Sequence, residues 1–279
     1  MSLARAPRYN SALVLRAITF IAMLSLTQTS LLLLYPFTLH NFLRAAAIYT
    51  PATLISLYLL FHPRNRWLVD NRSHVQSAHP CVALTFDDGP DPVSTPMLLD
   101  LLRQKGVHAT FFVVGQRAES YPEVVRKAQA EGHLIENHTW SHPPLFCFLL
   151  PSRLRAEIDR CHAAILNACG HRSHFFRSPV GLRHPLLRPY LQSRGLEYIS
   201  WRIRTYDTLG LKSPVLVDRI LKRVVSGDII LLHDHRAGGV DVMLDALPQV
   251  IDELRGRGFD FVLVGPDSSV ESACEVTAK

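Results

Sequence analysis

From residue 80 onward the chain alternates short β-forming runs with longer amphipathic stretches, and nothing else in its 279 residues limits the fold as strongly. The runs are CVALTF (81–86), ATFFVVG (109–115), HLIENH (133–138), HFFRS (174–178), LEYISW (196–201), DIILLH (228–233) and FDFVLV (259–264). Helices are expected at 94–105, 121–131, 152–168, 185–194, 213–225 and 241–257. The second of these begins after Pro122 and sets Val124, Val125 and Ala128 on one face. A strand, a helix of about ten residues and a second strand make a parallel βαβ unit. Seven such strands suit an α/β fold closed as a distorted (β/α)7 barrel better than an open sheet. A barrel of this kind carries its active site at the C-terminal ends of its strands.

The first third of the chain has a different texture. Hydrophobic residues make up 48% of the whole, and their excess lies in residues 11–61. Residues 17–39 form a 23-residue run without a charge, long enough as a helix to span the roughly 30 Å of bilayer hydrocarbon. A polar break, HNFLR (40–44), precedes a second uncharged run, 45–61, which contains Pro51 and stands at the lower limit for a span. One or two N-terminal transmembrane helices, about 17–39 and 45–61, are therefore expected. They compose a membrane anchor over residues 1–61, followed by a juxtamembrane linker (62–79), the catalytic domain (80–267) and a C-terminal tail (268–279).

Arginine placement sets the sidedness. Arg5, Arg8 and Arg16 precede the first run, Arg44 lies between the two, and Arg64, Arg66 and Arg72 follow the second. If both runs cross a bacterial-type inner membrane, the domain lies on the cytoplasmic side. If only the first crosses, it is exported. The odd set Cys81, Cys147, Cys161, Cys169 and Cys274 has no CxxC spacing and leans toward a reducing compartment. A net charge of +6 without a basic stripe interleaved with aromatics excludes nucleic acid as a partner.

The polar residues fall at one end of the strands. Run 81–86 leads into Asp87-Asp88-Gly89-Pro90, and run 133–138 ends at His138, with His142 four residues on. Run 174–178 carries Arg177, run 196–201 leads to Arg204 and Asp207, and run 228–233 ends in His233-Asp234. Catalytic zinc takes three imidazole or carboxylate ligands and leaves room for water. His138 and His142 can face one point, and one of the two adjacent aspartates can complete the set. The other aspartate, pointing elsewhere, is free to act as general base on the attacking water. His233 is the candidate general acid for the leaving amine.

These residues bear a family resemblance. TFDDGP (85–90), HTWSH (138–142), RSPVG (177–181) and ILLHD (230–234) resemble the first, second, third and fifth motifs of the polysaccharide deacetylases with a NodB-homology domain, carbohydrate esterase family 4. The resemblance implies Asp87 as base, with Asp88, His138 and His142 holding one divalent metal. Zinc is the first expectation for that metal, with cobalt, nickel or manganese as alternatives. It implies that Arg177 orients the base, that the Val180 N–H stabilises the oxyanion, and that Leu231 lines a pocket for the acetyl methyl. His233 is then the acid and Asp207 its orienting partner. A preorganised oxyanion donor is worth roughly 3 kcal/mol of barrier.

The third and fourth motifs depart from the family's RPPYG and DxxDW. Ser178 and Val180 replace a proline and a tyrosine, Arg204 an aspartate, and Thr208 the tryptophan. An arginine at 204 could meet a phosphate or carboxylate on the substrate. The expected substrate is an acylated amino sugar, polymeric or lipid-linked, losing its N-acetyl group. The alternatives are N-deformylation, O-acetyl ester hydrolysis, and an inactive membrane-bound carbohydrate-binding module.

Overall fold

The computed structural model describes residues 38–61, 68–235 and 240–265. Its strands are β1 (Asn71–Arg72), β2 (Cys81–Asp87), β3 (Thr110–Val113), β4 (Leu134–Asn137), β5 (Phe175–Phe176), β6 (Glu197–Ile199), β7 (Ile203–Arg204), β8 (Asp228–His233) and β9 (Asp260–Phe261). They form one parallel sheet in the order β1-β6-β5-β4-β3-β2-β8-β7, with β9 also paired to β2. The helices are α1 (Leu39–Phe61), α2 (Ser94–Gln104), α3 (Gly115–Ser120), α4 (Pro122–Ala130), α5 (Pro151–Cys169), α6 (Leu187–Arg194), α7 (Ser213–Leu221) and α8 (Asp241–Gly256).

β2 shows why the sheet is layered. All seven of its residues are buried, as in a parallel strand covered on both faces. Val82, Leu84 and Phe86 pack outward with Leu98, Leu99 and Leu102 of α2 and Val250, Ile251 and Leu254 of α8. Cys81 and Ala83 point the other way, into a second core with Phe112, Phe175, Trp201, Ile229 and Leu231. Period-two alternation thus divides one hydrophobic strand between a helix-facing layer and the interior of a curled sheet.

The expected closed seven-stranded barrel is corrected to a half-barrel. The hydrogen-bonded path has two ends, β1 and β7. The expected strand 196–201 is in fact two short strands. β6 pairs with β5, the chain turns through Ser200–Arg202, and β7 pairs with β8. One run therefore joins both ends of the sheet but carries no continuous ladder between them. The expected strand 259–264 shortens to β9. The short helix α3 was not expected, because six residues give no readable helical period.

The domain begins before residue 80. β1 lies within the expected linker and pairs with β6, while Leu68, Val69 and Val75 are buried. The Val75 N–H bonds Gly227 O at 2.8 Å, and the Ser200 N–H bonds Arg72 O at 2.9 Å. At the N-terminus, the expected polar break 40–44 is helical. It contains neither glycine nor proline, so α1 runs through it from Leu39. Among the described residues no helix is long and apolar enough to cross a membrane. Residues 1–37 of the expected anchor, and the expected tail 268–279, lie outside the described residues. Cys81, Cys147, Cys161 and Cys169 are free thiols.

Candidate active site

β2 ends in two consecutive aspartates with opposite orientations. Asp87 continues the inward-facing series, and in the ladder it stands opposite Phe112 on one side and His233 on the other. Asp88 takes a left-handed backbone, φ 79°, and turns its carboxylate out of that series. Such a backbone is unfavourable for a residue with a Cβ, and strain of this kind clusters at functional sites. Thr139 (φ 70°) and His142 (φ 50°), on the loop beyond β4, share it.

Asp87 is held from inside the sheet. Arg177 is wholly buried, and its Nη1 donates to Asp87 Oδ1 at 2.6 Å and to Thr85 Oγ1 at 2.9 Å. Its guanidinium stacks 4.0 Å from the centroid of Phe112, and Nη2 reaches Ser200 O at 3.3 Å. A buried cation with an anionic partner, a stacking ring and carbonyl acceptors is satisfied on every side. Asp87 Oδ1 is thereby fixed, and Oδ2 lies 3.7 Å from His138 Nε2.

Asp88, His138 and His142 converge. Their three candidate ligand atoms all lie within 4.8 Å of one another. Asp88 Oδ1 is 3.1 Å from His142 Nε2 and 3.4 Å from His138 Nε2. Asp88 Oδ1 is buried yet accepts no satisfactory hydrogen bond. The reason lies behind His138, where Nδ1 bonds the Arg177 carbonyl at 2.8 Å. Because a carbonyl only accepts, Nδ1 carries the proton and Nε2 offers a lone pair. A lone pair facing an orphaned carboxylate oxygen suits a cation between them, and the two-imidazole, one-carboxylate set is that of a catalytic divalent metal. Burial disfavours the Asp88 anion, but where protons on the His138 and His142 Nε2 atoms take the place of a cation they outweigh it and hold Asp88 well below the usual carboxylate range. Burial likewise pulls His142 down, and Asp88 more than reverses this, so its pKa is raised.

His233 occupies the other rim. Its Nδ1 lies 2.9 Å from Asp207 Oδ1, and its backbone N–H donates to Asp207 Oδ2 at 2.9 Å. Thr205 Oγ1 donates to Asp207 Oδ1 at 3.0 Å. Burial lowers the His233 pKa, but the Asp207 bond and charge prevail and raise it to about 9. Val180 sits in a short turn after Arg177 with φ 56°, half exposed, and Leu231 is buried in the inner core. Arg204 stacks 5.1 Å from the Tyr206 ring centroid, with Arg219 4.8 Å from the same ring.

Three supporting residues escape the reading of the sequence, and a fourth, Asp234, figures there only as the neighbour of His233. Thr85 bridges Arg177 and the Ile230 carbonyl. Asn137 ties Thr139 N to Ile158 O. Glu157 accepts from both the N–H and the hydroxyl of Ser141. Asp234 accepts from Gly89 N at 2.9 Å and Thr95 Oγ1 at 2.7 Å. A signal existed for one of them, since Glu157 lies among the core positions Leu154, Ile158 and Cys161 of α5.

Residues 74–199 match the family model described as polysaccharide deacetylase. A peptidoglycan-N-acetylglucosamine deacetylase of Bacillus cereus is 34% identical over 181 residues, which span 65% of this chain and 66% of that protein. A chitooligosaccharide deacetylase of Sinorhizobium fredii is 36% identical over 194 residues, covering 64% of this chain and 88% of the relative. The solved family 4 carbohydrate esterase from Streptomyces lividans, in complex with acetate, superposes with a TM-score of 0.63 at 33% identity, over 69% of this chain and 96% of that one. The chain therefore belongs to the polysaccharide deacetylases, the carbohydrate esterases of family 4.

Proposed function

We propose that the chain is a metal-dependent hydrolase that removes N-acetyl groups from amino sugars. One observation carries this reading. Asp88, His138 and His142 converge beside an Asp87 clamped by Arg177 and a His233 backed by Asp207. A divalent cation bound there, zinc by its donor set, supplies Lewis acidity to the acyl carbonyl and makes water a nucleophile near neutral pH.

The chain's own groups do the rest. Arg177 fixes Asp87 Oδ1, leaving Oδ2 to take the proton of the attacking water. The Val180 N–H faces the developing oxyanion, and Leu231 packs against the acetyl methyl. Asp207 keeps a proton on His233 Nδ1, so Nε2 presents the second proton to the departing amine. The test is acetate release from N-acetylglucosamine oligomers by the zinc-loaded chain. Asp87→Asn should lower kcat by at least about a hundredfold while metal content stays at wild-type level. Undiminished release by that variant would overturn the assignment of the base, and formate release alone would move the activity to deformylation.

The same proposal holds the domain at a membrane through residues 17–39, with Arg5, Arg8 and Arg16 on the inner side. One crossing carries the domain to the exported face, where acetylated wall glycan is the substrate. Reporter fusions after residue 75 test this, and strong cytoplasmic-type reporter activity would overturn it in favour of a lipid-linked sugar on the inner face.

A further inference from the structure

A cleft of about 600 Å³ opens from the metal-binding triad, sharing Asp88 and His142 with it. It is lined by Arg117 and Ser120 of α3, by Tyr121, and by Thr208 and His235. Among its lining residues Asp88 is the only acid, and Asp88 is already committed to the triad.

Arg117 is the cation of this cleft. Among the described residues it forms no ion pair with a carboxylate. Its Nη2 bonds His235 Nε2, and His235 Nδ1 lies 2.9 Å from Asp91 Oδ2. An imidazole nitrogen that receives a guanidinium N–H must offer a lone pair, so the His235 proton resides on Nδ1 and goes to Asp91. His235 is therefore a neutral spacer. It aims Arg117 without cancelling its charge. Asp91 is itself engaged elsewhere, since its Oδ1 accepts the Val93 and Ser94 N–H groups at 2.9 Å each at the start of α2. Arg117 lines the cleft, and among the described residues no carboxylate pairs with it. Arg204, the arginine that the sequence singles out for an anion, instead spends its face on Tyr206.

A second lining residue points the same way. Thr208 stands where the family's fourth motif places a tryptophan, and here it lines the cleft. A small polar side chain leaves room for a substituent that an indole would fill.

We propose that this cleft is a subsite for an anionic substituent, a carboxylate or a phosphate, on the glycan whose acyl group is cleaved, with Arg117 as its specificity-determining residue. His235 and Asp91 are positioning residues that act through Arg117. The proposal rests on the deacetylase reading for its substrate class, and the experiment separates the two.

The full chain, loaded with zinc, is titrated calorimetrically with three N-acetylglucosamine tetramers: neutral, bearing 3-O-lactyl carboxylates on alternate units, and bearing 6-phosphates. The wild type should bind at least one anionic tetramer about tenfold more tightly than the neutral one, the scale of one charge-assisted hydrogen bond. The tetramer preferred identifies the source of the anion. Arg117→Gln should erase the preference, and Arg117→Lys should restore part of it. Equal affinities in the wild type, or a preference that survives Arg117→Gln, would overturn the subsite. Acetate release from the same tetramers is read separately. A preference that depends on Arg117 without any release overturns only the hydrolase reading, and release without a preference overturns only the subsite.

Discussion

At the residue scale, the chemistry turns on how neighbouring groups set each proton. His233 is raised to about 9 because Asp207 favours its charged form more than burial opposes it. A group with a raised pKa keeps its proton through neutrality, so the acid form persists until the pH approaches that value. The alkaline limb of kcat/KM should therefore lie near 9 in the wild type. Asp207→Asn removes the charge that holds the proton, leaving burial to pull His233 down. The limb should then move to lower pH by about one unit or more, as a pH–rate profile would show. An unmoved limb would mean that His233 is not the acid. His138→Ala, by contrast, deletes one of three ligand atoms and should abolish stoichiometric zinc uptake, measured by metal analysis after gel filtration. Much of this was legible beforehand, since adjacent residues must point apart and Asp87 and Asp88 could be divided into two roles. Arg117 and His235 were not legible, because nothing local in the sequence marks residues that meet 118 positions apart.

At the element scale, α3 and α5 owe their close approach to one glycine. A Cβ on Gly115 would lie 2.7 Å from Trp140 Cε3 and 2.8 Å from the Cys161 Cα. Backbone cannot yield as a flexible side chain can. Gly115→Ala should cost about 1–3 kcal/mol by overpacking, visible as a lower midpoint in thermal unfolding. An unchanged midpoint would show that α3 shifts freely. The strand ends follow from similar constraints. β5 is only two residues long although the Arg177 N–H still bonds the Asn137 carbonyl at 3.0 Å, because Pro179 then offers no N–H to continue pairing. β-propensity alone extended that strand to 178.

At the scale of the whole molecule, metal binding and stability are linked. The triad joins the end of β2 to the loop after β4, so a bound ion ties together segments 50 residues apart in sequence. A ligand at a hundred times its dissociation constant stabilises the folded state by about 2.7 kcal/mol. Chelation should therefore lower the unfolding temperature of the wild type by several degrees, whereas Asp88→Ala should respond to neither chelator nor zinc. A wild-type midpoint indifferent to both would argue against the ion site. The alternation of strands and helices, and the delivery of Asp87, His138, Arg177, Asp207 and His233 to or just beyond the strand ends, were determined by the sequence alone. Periodicity, proline and glycine positions and the register of a β run are local properties, written within a few residues of where they act. Tertiary structure decided the rest. It split run 196–201 between two strands, drew β1 into the domain and brought Arg117 to His235 beside a cleft between α3 and the segment after β8. Each of these depends on contacts between distant segments competing for the same hydrogen bonds and space, and no local pattern encodes the outcome of that competition.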